Sequence, residues 1–309
     1  MNETNTRTQD FTSTRQDTPG GPVSRPAAVG AIAVPPQPVT HLVCDCDGVL
    51  VDSEAVADEA MVSALFATLT AAARTTPRAA GTPQGDRLLT HAAVEHEVGA
   101  RLGRTIDHVI TAVADCFGMT LAPEAEQSVR MAVEAAVRAR QTAVPGVTAA
   151  LHALSASGLP LAVASNSILP RVREALEVAG ITALVGERIY TGERVPHPKP
   201  APDVYVAACA GFETAPQQCA AVEDSVTGVT AASGAGMQVI GFAGGTHLDD
   251  ARVHAGRLHA AGASWVFEHM RDLEAILTAL RSGVAPAARY LLVPEPAVAA
   301  ETAPHRHTE

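Results

Sequence analysis

Lysine is almost absent from this chain. Of 22 basic residues, all but Lys199 are arginine. Soluble proteins ordinarily use lysine freely, so the one position that keeps it asks for a chemical explanation. Basic charge is short overall: 33 acids against 22 Lys and Arg give a formal net charge of −11. That excludes the basic footprint that binds nucleic acid or an anionic membrane. No uninterrupted apolar run reaches the roughly 18 residues of a membrane-spanning helix. The amino terminus, MNETNTRTQDFTSTRQDTPGG, lacks the apolar core of a secretory signal, and Glu3, Asp10 and Asp17 speak against a transit peptide. Five cysteines, an odd number, form no paired framework. Cys44 and Cys46 have no second pair to complete a zinc site. Reduced thiols in a cytoplasm are the expectation.

What is present is a globular composition, 47% hydrophobic over 309 residues, enough for one large domain or two ordinary ones. Short apolar runs at His41–Cys44, Leu159–Ala164, Arg188–Thr191, Ala220–Val222, Gln238–Phe242 and Ser264–Phe267 suit buried parallel strands. Helical patterns at Pro170–Ala179, Pro202–Ala210 and Val226–Ala235 alternate with them. The first two have proline in the first turn and glycine just past the end. Such alternation predicts an α/β fold with a Rossmann-like parallel sheet core. Residues 55–142 interrupt it with helical patterns at Glu54–Leu69, Asp107–Phe117 and Pro123–Arg140, an inserted α-helical cap domain. Thr75–Gln84 is expected to be a loop. The core is then 39–54 and 143–282, between flexible tails at 1–38 and 283–309, with Tyr290–Val293 a possible anchor. The cap hinges are expected at Asp52–Glu54 and Arg140–Gly146.

Four polar motifs follow these strands. In Cys44-Asp45-Cys46-Asp47-Gly48, two carboxylates two residues apart lie on one side of an extended chain, where ligands of parallel sheets bind. Close carboxylates need a cation or a shared proton. Gly48 permits a tight turn and the approach of an anion to backbone N–H groups. Taken alone, the motif reads equally well as an Asp-rich turn. Ser165-Asn166-Ser167 offers donors at a helix start, suited to a phosphoryl oxygen or to a plain N-cap. Prolines at 198, 200 and 202 stiffen the chain around Lys199, a point charge for phosphate or carboxylate. Glu223-Asp224-Ser225 supplies the oxygen ligands Mg²⁺ prefers, or a helix cap.

The four together, in this order, resemble the motifs of the haloacid dehalogenase-like superfamily. DCDGVLVDSE, ASNS, HPKPAPDVY and VEDSVTGVTAASGAGMQVIGF look closest to the capped subfamily that includes sugar-phosphate phosphatases and β-phosphoglucomutase. The resemblance runs from about His41 to Ala279 and implies Asp45 as nucleophile and Asp47 as general acid and base. It implies Mg²⁺ held by Asp45, the Asp47 carbonyl and Asp224, with Glu223 as a nearby or further ligand. Gly48, Ser165, Asn166 and Lys199 would hold the phosphoryl group. Dehalogenases of this fold lack the second Asp, and P-type ATPases carry Thr there. Members that cleave phosphonates use a cap lysine, and residues 55–142 contain none. The mutase carries His where this chain has Ala57, which favours a phosphatase.

The expected activity is Mg²⁺-dependent hydrolysis of a small phosphomonoester, a sugar phosphate or sugar-acid phosphate. The alternatives are a sugar phosphomutase and a non-catalytic phosphosugar sensor or partner-binding protein. Arg101 and Arg104 are candidate contacts to the non-reacting part of the substrate. The expected partner is a small phosphorylated metabolite, with no nucleic acid and no membrane. Oligomeric state stays open.

Overall fold

A computed structural model describes residues 37–75, 87–101, 105–246, 248 and 250–292. The expected loop past Thr75, Arg104 and most of both expected tails lie outside the described residues. β1 (His41–Cys44) leads through β2 (Val51–Asp52) into four helices: α1 (Glu54–Thr75), α2 (His91–Gly99), α3 (Ile106–Cys116) and α4 (Pro123–Arg140). The chain returns through β3 (Thr142–Ala143), which pairs antiparallel with β2. Strands and helices then alternate: α5 (Val147–Ala156), β4 (Leu161–Ser165), α6 (Leu169–Val178), α7 (Thr182–Val185), β5 (Ile189–Thr191) and α8 (Asp203–Gly211). After them come β6 (Cys219–Glu223), α9 (Val226–Gly234), β7 (Gln238–Phe242), α10 (Ala251–Ala261), β8 (Trp265–Phe267) and α11 (Leu273–Arg281).

The six-stranded sheet has the order β5-β4-β1-β6-β7-β8, and every neighbouring pair is parallel. Its strands are apolar on both faces because helices cover both. Period-two alternation sorts the side chains. Leu42, Leu161, Val163, Ala220 and Val222 join one buried cluster, with α5, α6 and α11. Val43, Ala162, Ala164, Cys219 and Ala221 join the other, with α8, α9 and α10. β1 pairs with β4 on one side and β6 on the other, so the carboxyl ends of three strands meet where the strand order reverses.

The inserted helices have a core of their own, in which Leu65, Leu69, Ile110, Val113 and Phe117 are fully buried. Each such side chain contributes about 1.5–3 kcal/mol. In α4, Val129, Val133 and Val137 recur every fourth residue, Pro123 opens the helix, and acids and arginines sit at its negative- and positive-preferring ends. α1 is long and apolar enough to cross a membrane by length and composition alone. Its Ala60, Met61, Val62, Leu65 and Leu69 are buried in the cap cluster. Beyond α11, Tyr290 and Leu291 pack on the core and the Leu292 amide donates to the Val266 carbonyl at 2.7 Å. The segment expected as a tail from 283 therefore starts as an anchored strap.

Candidate active site

Each strand-end motif lies where the sheet delivers it. The Asp45 amide donates to the Val222 carbonyl (2.9 Å), which ties the first loop to the end of β6. The loop then turns tightly: the Gly48 amide donates to the Val51 carbonyl and the Leu50 amide to that of Cys46. Gly48 has φ +80°, and a Cβ there would lie 1.8 Å from Asp224 Oδ2. Glycine is thus needed twice, for the backbone conformation and for the approach of Asp224.

Lys199 is buried among acceptors. Its Nζ donates to Asp45 Oδ1 (2.5 Å), Glu223 Oε1 (2.6 Å), the Ala164 carbonyl (2.9 Å) and Tyr205 Oη (3.2 Å). Tyr205 Oη donates in turn to Glu223 Oε1 (2.5 Å). Asn166 grips the backbone of the same residue in both directions. The Lys199 amide donates to Asn166 Oδ1 (2.9 Å), and Asn166 Nδ2 donates to the Lys199 carbonyl (3.1 Å). Ser165, also buried, accepts the Ser167 amide at 3.0 Å. Burial disfavours the Lys199 charge, but Asp45 and Glu223 outweigh it and hold the ammonium well above its usual range.

Asp47 belongs to a second network. Its Oδ1 accepts from Ser53 Oγ (2.8 Å) and Arg171 Nη2 (2.5 Å), and its Oδ2 from Ser167 Oγ (2.7 Å). Burial pushes this carboxyl up, yet Arg171 and the two hydroxyls prevail and hold it below the ordinary value. Asp45 goes the other way. Burial raises it to about 8 against the pull of Lys199, with Glu223 and Asp47 adding to the rise. Burial, then Glu54, Asp45 and Glu223, push Asp224 well above the carboxylate range. Cys44 and Cys46 are buried thiols, Cys44 pushed up to about 12 by burial, so neither is a nucleophile.

One oxygen each from Asp45, Glu223 and Asp224 lie within 4.8 Å of one another. Lys199 is the one cation bonded to this trio among the described residues. Hard oxygen donors and uncompensated buried negative charge fit Mg²⁺. Glu223 is the least free of the three. Its Oε1 takes Lys199 and Tyr205, its Oε2 accepts from Ser225 Oγ (3.2 Å), and it packs where a Cβ on Gly228 would lie 1.8 Å from Oε1. Expected from sequence as a nearby or further metal ligand, it stands with Asp45 and Asp224 in this cluster and also anchors Lys199. His254, on α10, bonds the Asp224 carbonyl (2.6 Å) from behind.

Arg101, a candidate substrate contact, lies in the cap with its guanidinium bonded to Glu97 (2.6 Å) and to Cys116 Sγ (3.1 Å). Arg104 lies outside the described residues. Arg171 and Tyr205 were not assigned roles from sequence; Ser167 was read only as one donor of Ser165-Asn166-Ser167, and Ser53 only as part of a hinge. Ser167 lies two residues before α6 and Arg171 in its first turn, and Arg171 Nε donates to Ser167 Oγ (3.3 Å). Tyr205 lies within the stretch HPKPAPDVY, six residues after Lys199.

Comparison with known proteins agrees with this geometry. The family model for haloacid dehalogenase-like hydrolases matches residues 39–236. Hexitol phosphatase A of Escherichia coli K12 is 38% identical over 99 residues, 32% of this chain and 45% of that protein. The chain thus spans under half the length of that relative. The 6-phosphogluconate phosphatase of the same organism is 27% identical over 204 residues, 66% of this chain and 82% of that protein. A family hydrolase from Deinococcus radiodurans R1, solved with bound phosphate and sodium, superposes with a TM-score of 0.60 at 30% identity, covering 81% of this chain and 99% of that one. The match over most of the core and the convergence of four strand-end motifs lead to one conclusion: the chain belongs to the haloacid dehalogenase-like hydrolases.

Proposed function

We propose that the protein is a Mg²⁺-dependent phosphatase that hydrolyses a small phosphomonoester, a sugar phosphate or sugar-acid phosphate, in the cytoplasm. The observation that carries this is the meeting of Asp45, Lys199 and Asp224, from three motifs distant in sequence, at the switch point of the sheet, with Asp47 two residues after Asp45 in the same loop. The names of the relatives, a hexitol phosphatase and a 6-phosphogluconate phosphatase, support a polyol or sugar-acid leaving group.

An Asp45 oxygen attacks phosphorus, and the bond from phosphorus to the ester oxygen breaks. Asp47, which its bonds hold ionised at rest, takes up a proton from solvent before this step and gives it to the leaving alkoxide. Asp47 then takes a proton from water, whose oxygen attacks the same phosphorus, releasing phosphate and restoring Asp45. The bonds from Arg171, Ser167 and Ser53 favour the ionised Asp47 that the second step uses. Asp45, the Asp47 carbonyl and Asp224 would hold Mg²⁺, which lowers the repulsion between a carboxylate and a phosphate dianion. Lys199, with Gly48 and Ser165, holds phosphoryl oxygens, and Asn166 holds the Lys199 backbone in place. The cap, residues 55–142, excludes water and selects substrate.

Phosphate release from a panel of sugar phosphates with Mg²⁺ tests this in wild type, Asp45→Asn and Lys199→Ala. Release by wild type that both substitutions abolish is the expected result. Release that survives Asp45→Asn would overturn the reading. Conversion of a hexose 1-phosphate to its 6-phosphate without net release would replace it with a mutase.

A further inference from the structure

A cavity of about 370 Å³ opens between the cap and the core, beside Asp47. Ala57, Val133 and Val137 wall it on the cap side, and Ser167, Ile168 and Arg171 on the core side. Its surfaces are mixed. Apolar walls suit the carbon chain of a small metabolite, and two guanidiniums break them: Arg138, paired with Glu174 (3.1 Å), and Arg171; Glu134 and Asn166 also line the cavity. Arg171 uses Nη2 on Asp47 and Nε on Ser167 (3.3 Å). Among the described residues nothing bonds its Nη1. A guanidinium is donor-only, so whatever meets Nη1 must present an acceptor.

The distances limit where that acceptor can be. If Asp47 passes a proton to the leaving oxygen, the two lie within about 3 Å of each other. Arg171 Nη2 is 2.5 Å from Asp47 Oδ1. Arg171 Nη2 is then within about 6 Å of the leaving oxygen and Nη1, about 2 Å farther across the guanidinium, within about 8 Å, a range that holds the reach of a substituent on the next carbon once a hydrogen bond is added.

We propose that Arg171 is a specificity-determining residue that reads an oxygen, of a hydroxyl or a carboxylate, on the carbon next to the phosphoester carbon. This rests on the phosphatase reading with Asp47 as leaving-group acid. It assigns the choice of substrate partly to the core, at the first turn of α6, rather than wholly to the cap. A charged hydrogen bond of this kind is worth about 10- to 100-fold in selectivity.

Three esters isolate the contact: ethyl phosphate, 2-hydroxyethyl phosphate and 2-phosphoglycolate. They share the phosphorylated CH₂ and differ in the oxygen on the second carbon. The readout is the ratio of kcat/KM values within each protein, because Arg171 also touches Asp47 and absolute rates will fall on substitution. Wild type is expected to favour an oxygen-bearing ester over ethyl phosphate by about tenfold or more. In Arg171→Met that ratio should fall toward unity. Arg171→Lys, which keeps the charge without the planar fork, serves where the Met variant does not fold and should retain only part of the ratio. A preference for the carboxylate ester alone identifies an acid substrate, and one for both oxygen esters a polyol. A wild type without preference among the three, or a ratio that Arg171→Met and Arg171→Lys leave unchanged, overturns the proposal. Failure of wild type to release phosphate from these esters and from p-nitrophenyl phosphate would instead overturn the phosphatase reading, and this proposal with it.

Discussion

Glu97 in the cap and Asp45 in the core are both 9% exposed, and both touch cations, yet burial ends in opposite results for them. Glu97 is held down at about 2, burial outweighed by Arg101, the Cys116 thiol and Arg87. Arg87 and Arg101 each approach it at 2.6 Å, so two cations face one acid. Asp45 is pushed up to about 8 by burial above all, with Glu223 and Asp47 adding to it, and the one lysine, shared with Glu223, does not outweigh them. The cap cluster is complete and structural. The core cluster is short of positive charge, which supports the cation site proposed above. The contrast also accounts for Arg101: its guanidinium is spent on Glu97 and Cys116 and turns inward.

Substitutions break this contrast in order of size. Asp45→Asn is expected to lower phosphate release by about 10⁴-fold or more, since no other carboxylate takes the nucleophile's place. Asp47→Asn should lower kcat by about 10²- to 10⁴-fold, measured as initial rates over the same ester panel. Glu97→Gln should leave the rate per folded molecule unchanged and lower stability by about 2 kcal/mol in urea unfolding. Arg138→Ala, which breaks the exposed pair with Glu174 between cap and core (3.1 Å), should cost under about 1 kcal/mol.

The two clusters should also give opposite pH slopes. Glu97 lies below its ordinary 4.5, so the unfolded chain binds its proton first. Its stabilisation is complete above that value and is lost as pH falls toward about 2. Asp45 lies above its ordinary 3.8, so the folded chain keeps a proton that the unfolded chain has lost. Stability without metal should therefore fall as pH rises from 3.8 through about 8. Chelated protein is expected to melt lower at about pH 8 than at about pH 6, and saturating Mg²⁺ should remove the difference.

Much of the core was legible because its strands are short, apolar and followed by polar loops. β1, β6 and β7 fall within a residue or two of the expected runs, and β4 ends at Ser165, one residue past the expected Ala164. Helices were less legible. α2 buries Val94 and Val98 among alanines, histidines and glutamates, too sparse an apolar face to stand out in sequence. α5, α10 and α11 have a glycine just past their ends, at Gly158, Gly262 and Gly283, but lack the proline in the first turn that marks the stretches around α6 and α8. α1 runs to Thr75 rather than Leu69, because Ala71–Ala73 carry no polar break.

In the site, spacing brought out Asp45, Asp47, Lys199 and Asp224 as acids and a lysine at strand ends. It did not separate roles within a motif. Asn166 and Glu223 both turn toward Lys199, one to its backbone and one to its ammonium. That division depends on which oxygen each side chain presents, a matter of three-dimensional contact. Arg171 was hidden because an arginine at the start of a helix carries no sign of the carboxylate it will meet 124 residues away.

The most direct measurement is the melting temperature against Mg²⁺ concentration for wild type, Asp224→Asn and Glu97→Gln. Wild type and Glu97→Gln are expected to rise and saturate together, Glu97→Gln from a lower start. Asp224→Asn should show no rise. A response in Asp224→Asn equal to wild type, or its loss in Glu97→Gln, would contradict the assignment of the core cluster as the cation site.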